Sequence, residues 1–284
     1  MVAVVGIAGF FLLWVLMALP RGREQSRQTA CQKHLMQIGH GLGFFHQNRQ
    51  RYPTVPALGP EPGDSPIRIL LDGLAIPDLL ELRDSTHPPR PTGAPPRRTR
   101  IPGLACPSDP NAMAGRFPAA ISYRANTGDT TSGEHGPFQP GRSLSSSEVE
   151  AADGLSFTAA FAERLVGDGV DGRSGPVNYA TSPGVVGSEG CPEAGPDRWR
   201  GDAGSDWAEA GWRSTLYGHV LRPNGSPSCI AVDGRTAAIG ASSAHPGRVN
   251  VLLLDGSLRG VTPQVDPKVW RSLGTVGPAE TPGP

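Results

Sequence analysis

The chain has 284 residues, with 26 acidic and 26 basic side chains and a formal net charge of zero at pH 7. A balanced charge gives no overall field that would attract nucleic acid, so we expect no nucleic-acid partner. There are 38 glycines and 30 prolines, while aromatic residues make up only 6% of the chain. This composition predicts a small core with long loops, here a single loop-rich domain at 53–276 followed by a disordered tail at 277–284.

The N-terminal segment is strongly apolar, because residues 2–19 carry no charge and lead into Pro20. A helix of this length covers about 27 Å, close to the ~30 Å hydrocarbon core of a bilayer. We therefore predict a transmembrane anchor at 1–20 that contacts membrane lipid through residues 2–19. A cleaved signal peptide is the alternative, but it would have a charged start, a shorter apolar run and an exit of small residues.

Three arginines follow the apolar run, at positions 21, 23 and 27. The positive-inside rule would hold that side of the span in the cytoplasm, which opposes export, although long domains cross despite flanking charge. We expect a single-pass inner (cytoplasmic) membrane protein whose C-terminal domain is exported to the periplasm or cell surface.

Segment 21–52 predicts a stalk helix that continues from the anchor. Its apolar residues recur at intervals of four and three and form one stripe, made of Cys31, Leu35, Ile38, Leu42 and Phe45. Gly39, Gly41 and Gly43 each cost about 1 kcal/mol relative to alanine in a helix interior. We expect either close approach of another backbone on the Gly39/Gly43 face or fraying there. The stalk could thus pair with homo- or hetero-subunits, and it ends at Tyr52-Pro53.

The middle of the chain alternates weak helical signals with loops. Residues 53–66 predict a turn-rich linker, 67–84 a helix broken near Pro77, and 87–103, which contain six prolines, a surface loop. Strand signals begin at about residue 121. Asp-Gly pairs at 233–234 and 255–256 lie between apolar or alternating runs and predict two hairpins with type I′ turns. A short closing helix over 269–273 should bury Trp270.

The four cysteines of a chain that we expect to be exported predict two disulfides, for which three connectivities exist. We favour Cys31 with Cys106, joining the stalk to the domain, and Cys191 with Cys229, joining a Gly/Pro-rich loop to the first hairpin. The spacing contains no C-x-x-C and does not indicate a zinc site.

Motifs for catalysis are not found in the sequence: there is no G-x-S-x-G, G-x4-GK[ST], H-E-x-x-H or G-x-G-x-x-G opening a helix. We expect no enzyme activity and no cofactor. Asp168 and Asp171 of the GDGVDG loop are a weak calcium candidate, but the loop lacks EF-hand spacing, and an ordinary polar turn is favoured. Trp199, Trp207 and Trp212 are candidate binding residues for a glycan or small solute, and covering a sheet edge is their favoured alternative use.

The segment CQKHLMQIGHGLGFFHQNRQRYP (31–53) resembles a large planctomycete-type family of unknown function, whose members have prepilin-like N-termini and a C-terminal H-x9-DG motif. Nine residues separate His245 from Asp255-Gly256 in this chain. The segments CPSDP (106–110), SYRANTGD (122–129) and LYGHVLRPNGSPSC (216–229) follow the order found in that family.

The resemblance implies an α+β, pilin- or pseudopilin-like fold, in which a long N-terminal helix, membrane-spanning in its first half, packs on an antiparallel β-sheet. Prepilins also carry a basic leader ending in Gly, then Phe, and a Glu within the apolar segment, and the sequence shows none of these. Either the start lies upstream or this member is a plain anchor, so leader cleavage, N-methylation and filament assembly do not follow from the resemblance.

The role of the signature histidine is open from sequence. His245 could be a ligand or a proton-transfer group, or it could fix the preceding loop by hydrogen bonds, which we favour. Asp255 and Gly256 are explained by their turn. A strand of six residues would place His245 and Asp255 about 20 Å apart, so the two need not be neighbours.

Three classes of function are compatible with these features. The leading class is a membrane-anchored, exported structural or secretion-associated protein without catalytic activity. The second is a surface module that binds a glycan or small solute, and the third is an enzyme.

Overall fold

The computed structural model describes residues 2–60, 63–70, 99–188 and 190–277, with side chains from residue 20 onward. The helices are α1 (Val2–Arg49), α2 (Pro66–Leu70), α3 (Pro110–Met113), α4 (Ser146–Ala152) and α5 (Pro267–Gly274). The strands are β1 (Tyr123–Asn126), β2 (Ala159–Glu163), β3 (Tyr179–Ser182), β4 (Trp199–Arg200), β5 (Leu216–Tyr217), β6 (Cys229–Ala231), β7 (Ala237–Ala238), β8 (Val249–Leu253) and β9 (Leu258–Val261). The fold is therefore mixed α+β with a long N-terminal helix.

Several predicted segments fall partly outside this description. The helix predicted over 67–84 is described only as far as residue 70, and 71–98, including much of the predicted surface loop, lies outside the described residues. Residues 278–284 of the predicted tail do as well. Gly277, which begins that tail, donates its backbone N–H to the carboxylate of Asp153 at 2.8 Å.

Helix α1 is continuous through Pro20 and contains both the predicted anchor and the stalk. Four residues of the predicted stripe, Cys31, Leu35, Ile38 and Leu42, are buried against the domain with at most 2% of their surface exposed, and the fifth, Phe45, is half-buried. This face packs on β8, β9 and α2. The helix ends at Arg49, three residues before the predicted end of the stalk, and Gln50 adopts a left-handed φ of 56°.

Membrane spanning is not supported by the described part of the chain, where no helix is sufficiently long and apolar to cross a bilayer. The segment on which that prediction depends, residues 2–19, has a helical backbone but side chains outside the described set. The predicted anchor thus stays a prediction.

The glycines of α1 divide into two environments. A Cβ added at Gly39 would lie 3.2 Å from the Leu252 side chain of β8, whereas one at Gly43 would meet nothing within 4 Å. The close approach at Gly39 is therefore made to the protein's own sheet. The prediction that Gly39 and Gly43 share one close interface is wrong, because Gly43 is exposed.

The larger sheet has the strand order β5-β1-β2-β8-β9. All its pairs are antiparallel except β1 with β5, which is parallel. Strand β2 (AAFAE) is buried along its whole length, as is β8 (VNVLL), since they occupy the middle of this sheet with α1 across β8. The sheet is mixed, not purely antiparallel as the resemblance implied.

A second, smaller sheet has the order β4-β3-β6-β7, with β3 and β6 parallel and the other pairs antiparallel. It has its own apolar cluster around Trp199, Val186 and Ala238. The sequence did not predict this division into two sheets, because its strands are only two to four residues long and carry little periodicity.

Both predicted Asp-Gly hairpins form, but neither turn is type I′. A type I′ turn needs positive φ at both central residues, whereas here only the glycines have it, at 71° for Gly234 and 85° for Gly256. In the second hairpin the N–H of Gly256 donates to the carbonyl of Leu253, and the N–H of Leu253 donates to the carbonyl of Ser257. The loop between these two paired residues is therefore 254–256. This three-residue loop, with a left-handed glycine in its last position, is the next commonest way to close a hairpin.

The predicted closing helix is α5. Pro267 occupies its first turn, and the Asp266 carboxylate caps it by accepting the backbone N–H of Lys268 at 2.8 Å. Trp270 is 1% exposed and stacks on His219, with ring centroids 3.8 Å apart. Complete burial lowers the pKa of His219 to about 3, so this ring is neutral in the folded protein.

Candidate functional site at the junction of helix and sheet

Three separate parts of the chain bring ionisable side chains together where α1 meets the larger sheet. Glu24 comes from α1, Glu163 ends β2, and His245 lies in the loop that precedes β8. The loop is held against β2 because the backbone N–H of Ser242 donates to the Glu163 carbonyl at 2.9 Å. We call Glu24, His245 and Glu163 the junction cluster.

His245 is the centre of the junction cluster. Its Nδ1 lies 2.7 Å from Oε1 of Glu24, and its Nε2 lies 3.2 Å from Oε1 of Glu163. The imidazole side chain is completely buried. Each ring nitrogen therefore faces a carboxylate, one on the helix and one on the sheet.

Glu163 is 2% exposed, so its charge needs partners within the protein. Asn250 of β8 supplies two of them: its backbone N–H donates to Oε2 and its side-chain amide to Oε1, both at 2.9 Å. Asn250 in turn accepts a hydrogen bond from Gln32 of α1 at 3.3 Å. These bonds fix the carboxylate in the orientation that meets His245.

Glu24 is less buried, with its side chain 21% exposed. It accepts hydrogen bonds from Arg27, one turn later on α1, at 2.7 and 3.0 Å, and from the Ser108 hydroxyl at 3.0 Å. The residue thus joins α1 to two parts of the domain, the segment around Ser108 and the loop around His245.

The electrostatics favour an imidazolium between two carboxylates. Burial by itself would lower the pKa of His245, but the hydrogen bonds and charges of Glu163 and Glu24 outweigh it and raise that pKa. For Glu24, burial would raise the pKa, but hydrogen bonds from His245, Arg27 and Ser108 lower it below its usual value. In this state both ring N–H groups of His245 donate hydrogen bonds. The positive charges of His245 and Arg27 then balance the negative charges of Glu24 and Glu163.

A disulfide lies directly beside the junction cluster. Cys31 of α1 is bonded to Cys106, and Sγ of Cys106 is 3.6 Å from Nε2 of His245. The second disulfide joins Cys191 to Cys229. Two disulfides are present, in the pairs that the sequence analysis favoured. The first makes the attachment of α1 to the domain covalent at the same place where the junction cluster makes it ionic.

Asp255 and Gly256, which nine residues separate from His245 in the sequence, lie at the other end of β8. Asp255 accepts hydrogen bonds from the backbone N–H and the hydroxyl of Ser257, at 2.8 and 2.7 Å, within its own turn. Gly256 supplies the left-handed backbone of that turn. The structure does not bring His245 and Asp255 together, so the two halves of the motif have separate structural roles.

The three candidate tryptophans do not form an open binding surface. Trp199, Trp207 and Trp212 are 8%, 3% and 1% exposed, respectively. Trp207 donates its indole N–H to the carbonyl of Thr99 at 2.9 Å, and Trp212 packs beneath Gly133. A sugar that stacks on an aromatic ring needs an accessible ring face, and burial removes that access. All three rings lie in the interior of the described structure, in agreement with the structural use that the sequence analysis favoured over binding.

The weak calcium candidates already serve their own loop. Asp168 accepts hydrogen bonds from the backbone N–H of Val170 at 3.0 Å and from the Asn178 amide at 2.9 Å. Asp171 accepts the backbone N–H of Gly201 at 3.0 Å. These contacts are those of the polar turn that the sequence analysis favoured over a calcium site.

Sequence reasoning found His245 but not its two partners. Glu163 had a detectable signal, since it ends the apolar run AAFAE and a carboxylate in a buried strand requires a positive or donating partner. Glu24 had none, because it lies among other charged residues just after the apolar run. Its role depends on where the loop carrying His245 folds back.

The structure thus defines an α+β protein whose long N-terminal helix is attached to a mixed sheet by a disulfide and a buried ionic cluster. A family model described as "Protein of unknown function (DUF1559)" matches residues 20–268. The chain belongs to this family. No curated protein and no solved structure gives a significant match.

Proposed function

We propose that this protein is a membrane-anchored, pseudopilin-like structural protein, exported to the periplasm or cell surface and without catalytic activity. The observation that carries the proposal is the construction of α1. Its backbone is one helix from residue 2 to 49, which contacts the domain from Glu24 onward and has no charged residue over 2–19. A helix built in this way would hold the domain at a set distance from a bilayer.

The distance can be worked out from the helix. Glu24 lies five residues beyond Leu19, where the apolar run ends. At 1.5 Å per residue the junction cluster begins about 7 Å past the end of that run. The domain would therefore sit directly on the membrane surface, without a flexible linker between anchor and domain.

The cysteine content supports export. Both pairs are disulfides in the folded protein, and such bonds form and persist in oxidising compartments. The junction cluster itself favours a structural role over a catalytic one, because both nitrogens of His245 and both oxygens of Glu163 are engaged by neighbouring side chains or backbone.

The test begins with native protein from the source organism, separated into membrane and sheared-surface fractions. The expected result is a carbonate-resistant membrane form in which both cysteine pairs are protected from alkylation before reduction. An L12E/V15E variant should leave the membrane fraction, whereas the matched Q25E/S26E variant, on exposed positions of α1, should stay. A protein that washes off with carbonate, or whose membrane-bound form has free thiols, would contradict the proposal.

The same samples address assembly. A processed, methylated N-terminus in the sheared fraction would identify a true pilin-like subunit with a leader upstream of Met1. Intact Met1 in the detergent-extracted membrane alone would identify a plain anchor, and the pseudopilin part of the proposal would then fail while the anchor remained.

A further inference from the structure

The side chains around the first disulfide have the composition of a zinc site. Within the described part of the chain, Cys31, Cys106, Glu163 and His245 each place one ligand atom within 4.8 Å of the other three. All four residues are buried, with at most 4% of their surface exposed. Closed sites with four protein ligands are typical of structural zinc.

The spacing of the ligand atoms matches a tetrahedral metal. With Zn–N near 2.05 Å and Zn–S near 2.3 Å, the N···S edge of the tetrahedron is about 3.6 Å and the N···O edge about 3.3 Å. The structure has 3.6 Å from Nε2 of His245 to Sγ of Cys106 and 3.2 Å from Nε2 to Oε1 of Glu163. Two of the ligand–ligand distances of a tetrahedral zinc site are therefore already present in the oxidised protein.

Hydrogen bonds that orient zinc ligands are also present. Nδ1 of His245 is 2.7 Å from Glu24, and zinc-bound histidines usually donate their second ring N–H to such a carboxylate. Asn250 donates to both oxygens of Glu163 and so fixes the other ligand that is not a cysteine. The protein thus provides an outer shell in addition to the four ligands.

What prevents coordination in the oxidised protein is the covalent bond between the two sulfurs. A disulfide holds them about 2.05 Å apart, whereas two thiolates on one zinc are about 3.8 Å apart. We propose that reduction of the Cys31–Cys106 bond converts the junction into a Zn²⁺ site with two thiolate ligands, one imidazole and one carboxylate. The site would hold α1 on the domain by metal where that bond is reduced.

The chemistry balances with a dithiol reductant. Its two thiols pass two electrons and two protons to the protein disulfide, which opens to two cysteine thiols while the reductant becomes a disulfide. Zn²⁺ then displaces one proton from each thiol, and these protons enter solvent. His245 ligates through Nε2 and keeps its Nδ1 proton on the side of Glu24, so a proton on Nε2 is released as well.

The experiment uses the full chain in detergent micelles, in a C191S/C229S background so that the Cys31–Cys106 bond alone can be reduced. A trialkylphosphine opens that bond in water, and after its removal under anaerobic conditions the protein is titrated with Co²⁺ and then Zn²⁺. We expect one Co²⁺ per chain, with thiolate charge-transfer and tetrahedral d–d absorption, displaced by one Zn²⁺. The oxidised protein should bind neither metal.

Variants identify the ligands. H245Q and E163Q should each weaken binding by at least about tenfold, and E24Q, which leaves all four ligands in place, should weaken it about 10- to 100-fold. D168N, at an acidic residue engaged elsewhere, should bind like the parent. Affinities that are the same in all four variants, or metal binding by the oxidised parent, would overturn the proposal.

Folding of the reduced protein is followed by circular dichroism. If the reduced metal-free chain loses structure that stoichiometric Zn²⁺ restores, the site is supported, since metal binding then supplies folding free energy. A reduced chain that binds no stoichiometric metal, folded or unfolded, would refute the proposal. This readout is independent of membrane fractionation, so the anchor proposal can fail while the zinc site stands.

Discussion

Replacing His245 with leucine tests whether the junction cluster holds helix and sheet together. The substitution removes one of the three donors to Glu163, which is 2% exposed and keeps only the two hydrogen bonds from Asn250. Removing one partner of a buried pair typically costs about 3 to 5 kcal/mol because an uncompensated charge remains. Glu24 is 21% exposed and keeps Arg27 and Ser108, so we expect the low end, about 3 kcal/mol.

The measurement is guanidinium unfolding of the full chain in detergent, with the disulfides intact and a metal chelator present, followed by the fluorescence of the five tryptophans. His40→Leu, on the exposed face of α1, is the matched control and should change the free energy of unfolding by less than about 0.5 kcal/mol. Adding Glu163→Gln to the His245→Leu variant should restore part of the loss, because it removes the unpaired charge.

Two results would refute this reasoning. If His245→Leu costs no more than His40→Leu, the cluster does not stabilise the fold. If adding Glu163→Gln restores none of the lost free energy of unfolding, that loss comes from packing and not from the unpaired carboxylate.

Three further predictions concern other parts of the fold. The pKa of His219 is about 3 in the folded protein and about 6.5 in the unfolded chain, so between these pH values only the unfolded chain binds the proton, and the free energy of unfolding falls by about 1.4 kcal/mol for each pH unit of acidification. His219→Gln should flatten this pH dependence in denaturant titrations between about pH 6 and pH 4, and an unchanged slope would contradict the assignment. Gly43→Ala should raise the free energy of unfolding by up to about 1 kcal/mol, whereas Gly39→Ala should raise it less, because its Cβ would lie 3.2 Å from the Leu252 side chain. Equal increases for the two variants would show that the sheet does not constrain that face of α1. The Cys31→Ser/Cys106→Ser variant removes a cross-link between positions 75 residues apart, and loop entropy predicts that its free energy of unfolding falls by about 4.5 kcal/mol, more than for the same change at the second disulfide, whose cysteines are 38 residues apart. The reverse order in calorimetry would rule out loop entropy as the main cause.

The features that sequence predicted well are those set by local pattern or by spacing along one element. The stripe from Cys31 to Leu42 follows helical periodicity, and it is buried as expected. The closing helix with Trp270 inside has its own cap and proline. The two Asp-Gly hairpins were located correctly, although the turn type was wrong because it depends on the φ of the aspartate and not only on the residue pair.

The features that sequence did not predict depend on long-range closure. Glu24, Glu163 and His245 are far apart along the chain, and although His245 was singled out, nothing in its own segment identifies the two glutamates as its partners. The tryptophans are close in sequence and were weighed as a binding surface against a structural use, which was favoured, and the fold places each one in the interior. Likewise, the four possible zinc ligands come from four separate segments, so the spacing of cysteines carried no signal for them.

The position of the first disulfide determines how a pull on the protein would be transmitted. A force applied to the N-terminal half of α1 has a covalent path along the helix to Cys31 and across the S–S bond to Cys106, from which the chain continues through α3 to β1. The rest of the stalk helix and α2 lie outside this short covalent path. A pull from the N-terminal side therefore has a covalent route to the larger sheet that does not pass through those two elements.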